Sequence, residues 1–164
     1  MNSDQADILD LLAGHTDDST IERLAFECLM TSLTDDRVAS LMNVLGWRGN
    51  FDCFAIGGTP KVSPASASLV TRNAVRDLGG EHAIVGTYGS FLLVLVCQMG
   101  AATAEVTCTS VMSAFSEDEP VYLSPVRSGV VGASHVLREN LVLAAGRSRF
   151  GLAVTPVARR RIAA

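Results

Sequence analysis

The stretch Ala83-Ile84-Val85-Gly86-Thr87-Tyr88-Gly89-Ser90-Phe91-Leu92-Leu93-Val94-Leu95-Val96-Cys97 decides the fold of this chain. Its two arms are β-branched and aliphatic, and the glycines between them permit a tight turn at Thr87-Tyr88-Gly89-Ser90, so it reads as a hairpin. A hairpin this apolar has to be buried on both faces, which places it at the centre of a covered sheet. It carries no catalytic group, and its turn carries no carboxylate.

On the upstream side, Ala65 to Leu78 has helical spacing, with Leu69, Val70, Val75 and Leu78 inward and Arg72, Arg76 and Asp77 outward, and Gly79-Gly80 stops it. Phe51 to Ile56 reads as a strand ended by Gly57-Gly58-Thr59-Pro60, since proline cannot continue a ladder. Earlier still, Asp7 to Leu12, Thr20 to Leu33 and Arg37 to Leu45 have the periodicity of amphipathic helices. Asp17-Asp18 and Asp35-Asp36 precede two of them as capping acids, and Gly46 closes the third. Trp47, the one tryptophan, reads as a plug between helix and sheet.

On the downstream side, Ala101 to Phe115 reads as a helix, although Val106, Thr107, Thr109 and Val111 keep a strand reading open. Ser116 to Pro120 is a surface loop, and Val121 to Val126 is a strand with Val121 and Leu123 alternating against Tyr122 and Ser124. After Gly129 and Gly132, Ser134 to Ala145 is a helix with Val136, Leu137, Leu141, Ala144 and Ala145 inward. The order β-α-β-β-α-β-α predicts an α+β fold of ferredoxin-like type, an antiparallel or mixed sheet with covering helices. Residues 1-46 form an N-terminal helical segment, 47-147 the α/β domain, and 148-164, without periodicity, a tail or linker.

The 164 residues suit one core, and 48% of them are apolar against 18% charged. That balance, with a mean hydropathy of +0.31, predicts apolar surface covered by a partner, most simply a second copy in a homodimer. The net charge of -4 hides an asymmetry. Ten acids lie in residues 1-60, whereas beyond residue 120 Glu139 is the only acid among Arg127, Arg138, Arg147, Arg149 and Arg159-Arg160-Arg161. The terminal arginines predict at most weak, salt-sensitive DNA association. Cys28, Cys53, Cys97 and Cys108 form no C-x-x-C pair, so no metal site is expected; they read as small buried thiols of a cytoplasmic protein. The acidic, polar start is no secretory signal, and no run is long enough to cross a membrane.

Chemistry-bearing constellations are few. Gly57-Gly58-Thr59-Pro60-Lys61 brings glycine amides close to the only lysine and could cradle a phosphate, but no Gly-Lys-Ser/Thr ends it and no helix starts there. Gly57, Gly58 and Lys61, with Tyr88 at the hairpin turn, are the candidate ligand-binding residues. His15, His82 and His135 are scattered. Ser134, His135 and Glu139 fall at i, i+1 and i+5 of one helix, the wrong spacing for proton relay.

Asn43-Val44-Leu45-Gly46-Trp47 before a strand, the hairpin from Ile84-Val85-Gly86 to Leu95, and Gly129-Val130-Val131-Gly132 leading to Leu137-Arg138-Glu139 resemble, in that order, the GGDEF-like domain of PucR/CdaR-type bacterial transcription regulators. The resemblance covers roughly residues 20 to 147. It implies a degenerate diguanylate cyclase fold turned regulatory, lying between an N-terminal sensory region and a C-terminal helix-turn-helix. Active cyclases hold metal and nucleotide with an acidic pair at the hairpin turn and another acid after the first strand. Here the turn is Tyr88-Gly89-Ser90-Phe91, and Asp52 stands at the beginning of the first strand. Phosphoryl transfer without metal-held charge neutralisation loses its electrostatic stabilisation, so no catalytic residue, metal or cofactor is expected. The expectation is a non-catalytic regulatory and dimerisation domain, touching DNA only through a helix-turn-helix not present in this chain, with its effector unidentified. The alternatives are a small-ligand or nucleotide sensor, and residual cyclase or phosphodiesterase activity.

Overall fold

A computed structural model describes residues 18–79, 82–98, 101, 103–146 and 155–157. The helix expected at Asp7 to Leu12, His15 and the arginines beyond Gly146 lie outside the described residues.

Helix α1 (Asp18–Met30) buries Ile21, Ala25, Phe26 and Leu29, and helix α2 (Asp36–Val44) buries Val38, Leu41 and Met42. The Asp35 carboxylate caps α2 by accepting from the Arg37 and Val38 amides. At Gly46 the chain turns at φ +94° beneath His82, and Trp47 then packs edge-on against Phe51 with ring centroids 5.0 Å apart. Only 2% of Trp47 is exposed, as a plug requires.

Strand β1 (Asp52–Gly58) leads to helix α3 (Pro64–Asp77), then to the hairpin of β2 (Ala83–Tyr88) and β3 (Phe91–Cys97). Gly89 occupies the first central position of the two-residue turn at φ +62°, which glycine supplies without strain. Helix α4 (Ala104–Val111), continued by a 3-10 turn at Met112–Ala114, settles the helix reading over strand for residues 104–114 of the Ala101 to Phe115 segment, and Phe115 is extended and bridges Pro60. Strands β4 (Val121–Leu123) and β5 (Arg127–Ser128), helix α5 (Gly129–Gly146) and strand β6 (Thr155–Val157) complete the described chain.

The strands run in the order β2-β3-β1-β4-β6, with β5 pairing the start of β1, and every pairing is antiparallel. The unit β1-α3-β2-β3-α4-β4 with order β2-β3-β1-β4 is the ferredoxin-like arrangement, so the α+β expectation holds. Helices cover both faces. Phe54, Ile56, Leu92, Val94 and Val96 pack with α3 and α4, while Cys53, Ala55, Leu93, Leu95 and Cys97 pack with α1, α2 and α5. Helices α1 and α2, which fall in the expected N-terminal segment, therefore share a core with the sheet.

Several boundaries differ from the sequence expectation. Strand β1 continues through Gly57 and Gly58, which pair with Leu93 and Leu92, because bare α-carbons leave room for neighbours on both faces. A Cβ at Gly57 would stand 2.0 Å from Asn140 Oδ1, and one at Gly58 would stand 3.1 Å from the Phe115 ring. The hairpin is buried on both faces only along β3; β2 is an edge strand whose Thr87 and Tyr88 are exposed. Strand β4 stops at Leu123 rather than Val126, and its expected alternation fails because Val121, Tyr122 and Ser124 are all buried. Helix α5 begins at Gly129, five residues earlier than expected, with Gly132 inside it against Arg127. Within the expected tail, Thr155–Val157 forms a strand that pairs with β4.

Candidate functional site

The edge strand β2 leaves every second residue with outward main-chain groups, and two charged side chains occupy one of these amides and one of these carbonyls. Glu22 of α1, 6% exposed, accepts from the Val85 amide at 3.1 Å and from the Arg72 guanidinium of α3. Arg72 also donates to Ser68 Oγ at 3.1 Å and to the Ala83 carbonyl at 3.5 Å. The pair straps a helix of one face to a helix of the other around the sheet edge.

Beside this strap, toward the hairpin turn, lies a cleft of about 320 Å³ between α1, α3 and β2. Phe26, Val85 and Leu92 give it an apolar floor, and Arg23, Glu27, Ser68 and Thr87 a polar rim. Gly86 lets the Phe26 ring lie directly against the strand, since a Cβ there would stand 2.6 Å from that ring. One cation and one anion above an apolar floor suit a small, partly apolar molecule with an ionic group.

The four sequence-based candidates do not line this cleft. Gly57 and Gly58 are strand residues whose free space Asn140 and Phe115 fill. Lys61 Nζ stands 3.5 Å from Glu117 Oε1 on the surface. Tyr88 pairs with Phe91 at the hairpin end of the sheet, and the register sets Gly58 in the row of Leu92 and Thr87, one row back. Gly58, Tyr88 and the cleft thus share one end of the sheet. Periodicity had no means of finding Arg23, Phe26 and Ser68, but Gly86 was a signal: a lone glycine in an apolar strand marks a close approach.

Among the described residues Ser134, His135 and Glu139 do not form a proton relay. Ser134 Oγ is buried and donates to the Leu29 carbonyl at 2.7 Å, turned away from His135, whose Nδ1 lies 3.7 Å from Glu139 Oε1 on the exposed side. Burial, then the facing Cys97 and Asp52, push the Cys53 thiol up to about 12. Burial and Asp52 also raise Cys97, while burial, Asp35 and Glu27 raise Cys28. Thiols held protonated are poor nucleophiles. Asp52 pairs with Ser128 at the opposite end of β1 from the hairpin turn, about 20 Å along the strand at ~3.3 Å per residue. Among the described residues no three His, Cys, Asp or Glu side chains converge as metal ligands.

These features define a ferredoxin-like α+β domain with helices on both sheet faces and a small cleft at its hairpin edge. No family model and no curated protein matches the chain. Among solved structures it is similar to the crystal structure of a regulator of polyketide synthase expression from Bifidobacterium adolescentis, at 70% identity and a TM-score of 0.77. The match covers 79% of this chain and 53% of that one, so the chain spans about half the length of that regulator.

Proposed function

We propose that this chain is a non-catalytic regulatory domain of a cytoplasmic transcription regulator that works as a homodimer and is of the GGDEF-like, PucR/CdaR type. The observation that carries the reading is the 70% identity to a regulator of polyketide synthase expression. The acid-free turn Tyr88-Gly89-Ser90-Phe91 and the distance of Asp52 from it support a regulatory rather than a catalytic role. No helix among the described residues is long and apolar enough to cross a membrane, which fits a cytoplasmic site of action. The mean hydropathy of +0.31 supports self-association. The test is deletion of the gene in its host followed by transcript profiling. A regulator predicts altered transcript levels of a biosynthetic gene cluster, and an unchanged profile rejects the reading.

The second reading, a small-ligand or nucleotide-sensing module, is favoured by the cleft beneath Arg23 and Glu27. Calorimetry with a panel of nucleotides and small organic acids tests it. Binding heat that Arg23→Ala abolishes is expected, and no heat from any member of the panel sinks it.

A further inference from the structure

Cys53 and Cys97 are direct partners across β1 and β3, and both side chains lie on the sheet face covered by α1, α2 and α5. The Gln98 amide donates to the Asp52 carbonyl at 2.9 Å, so the neighbouring row is a hydrogen-bonded pair. Pairs alternate along an antiparallel ladder, which makes Cys53 and Cys97 a non-hydrogen-bonded pair. The Cys97 amide confirms this by donating to His82 on the β2 side. In such a pair the α-carbons stand about 4.5 Å apart with side chains close together, inside the ~4.4–6.8 Å range that a disulfide spans without backbone movement. Both cysteines are reduced, and Cys97, 7% exposed at the end of β3, is the more open of the two.

We infer that Cys53 and Cys97 form a reversible cross-strand disulfide when the protein meets a low-molecular-weight disulfide. The Cys97 thiolate attacks one sulfur of glutathione disulfide and releases one glutathione thiolate, leaving a mixed disulfide. The Cys53 thiolate attacks the Cys97 sulfur and expels the second glutathione. The protein loses two electrons and two protons, and the glutathione disulfide gains them as two thiols. Raised thiol pKa values slow the first attack without blocking it. Cys28 sits on α1 and Cys108 packs on the opposite sheet face, so neither stands across the ladder from this pair. The new bond ties the centre of the sheet at the root of the segment leading to α4.

The full chain is incubated with glutathione disulfide, quenched in acid, unfolded, alkylated and digested without reductant for peptide mapping. The expected product, ~2 Da lighter than the reduced chain before alkylation, links the Cys53 and Cys97 peptides and carries alkyl groups on Cys28 and Cys108 only. Alkylation of both Cys53 and Cys97, or a bridge joining other cysteines, overturns the inference. Cys53→Ala traps the intermediate: Cys97 then keeps its glutathione, whereas an unmodified Cys97 in that variant is also a negative result. If Cys53→Ala does not fold, Cys97→Ser at the more open position provides the second variant. It is expected to abolish the bridge and leave Cys53 alkylated, and a bridge from Cys53 to another cysteine again counts against the pair.

Discussion

Gly57 and Asn140 are matched residue to residue. Asn140 Nδ2 donates to the Ala55 and Tyr122 carbonyls at 3.2 and 3.0 Å, joining β1 to β4 from α5, and its Oδ1 rests where a Gly57 side chain would stand. Gly57→Ala is therefore expected to cost about 2–3 kcal/mol in urea unfolding, because the methyl displaces a buried amide that holds two carbonyls. The thiols give a second expectation. With Cys53 near 12 in the folded chain against a usual value of 9.0, the native state keeps a proton that the unfolded state gives up. Stability is full below pH 9 and falls as pH rises through that window, by about 4 kcal/mol at pH 12 from Cys53 alone. Chemical unfolding across pH 8 to 12 checks this, and Cys53→Ala flattens the slope. Asp52→Asn removes a negative neighbour from Cys97, so alkylation of Cys97 in the folded protein is expected to speed up.

At the scale of elements, the end of β4 is set by one hydroxyl. Ser124 Oγ accepts from the Ala55 amide at 2.8 Å and donates to the Pro125 carbonyl, while its own amide donates to the Ala55 carbonyl. Ser124→Ala leaves a buried amide unpaired and is expected to cost about 2 kcal/mol, read by urea unfolding. The helices and the hairpin were legible in the sequence because their signals are local: the helical spacing of Val70, Val75 and Leu78, the cap at Asp35, the glycine at 89. The inner face of α3 was read about one position off, since Leu69 is exposed and Ala67 and Thr71 are buried instead. The end of β4 was not legible, since Ser124 acts through a residue 69 positions away. Likewise Gly129 and Gly132 looked like breakers, yet both lie within the first turn of α5, and Gly132 is glycine there because a Cβ would stand 3.0 Å from Arg127. The candidate cleft was legible only at Gly86. Its strap joins Glu22 to Arg72 across 50 positions, and no periodicity records a pairing at that range.

At the scale of the whole molecule, the absence of acids at the hairpin turn predicts no cyclic dinucleotide product when the purified chain is incubated with nucleoside triphosphates and magnesium or manganese; measurable turnover contradicts the regulatory reading. Sedimentation at high micromolar concentration is expected to show a dimer, and a monomer there removes the self-association part. The Glu22–Arg72 strap acts on this scale as well. Breaking it by Glu22→Ala strands a part-buried guanidinium and the Val85 amide, at an expected cost of about 3 kcal/mol in urea unfolding. A different consequence follows for the life of the chain in a crowded cell. Phe91-Leu92-Leu93-Val94-Leu95-Val96 has no charge and no proline, the composition that stacks into fibrils. Only β2 shields it on one side, and the ion pair already holds the amide of Val85 and the carbonyl of Ala83 on the outer edge of β2. A stray strand arriving at that edge finds that amide and that carbonyl taken, so the two side chains that brace the fold also hinder edge-to-edge pairing at that point.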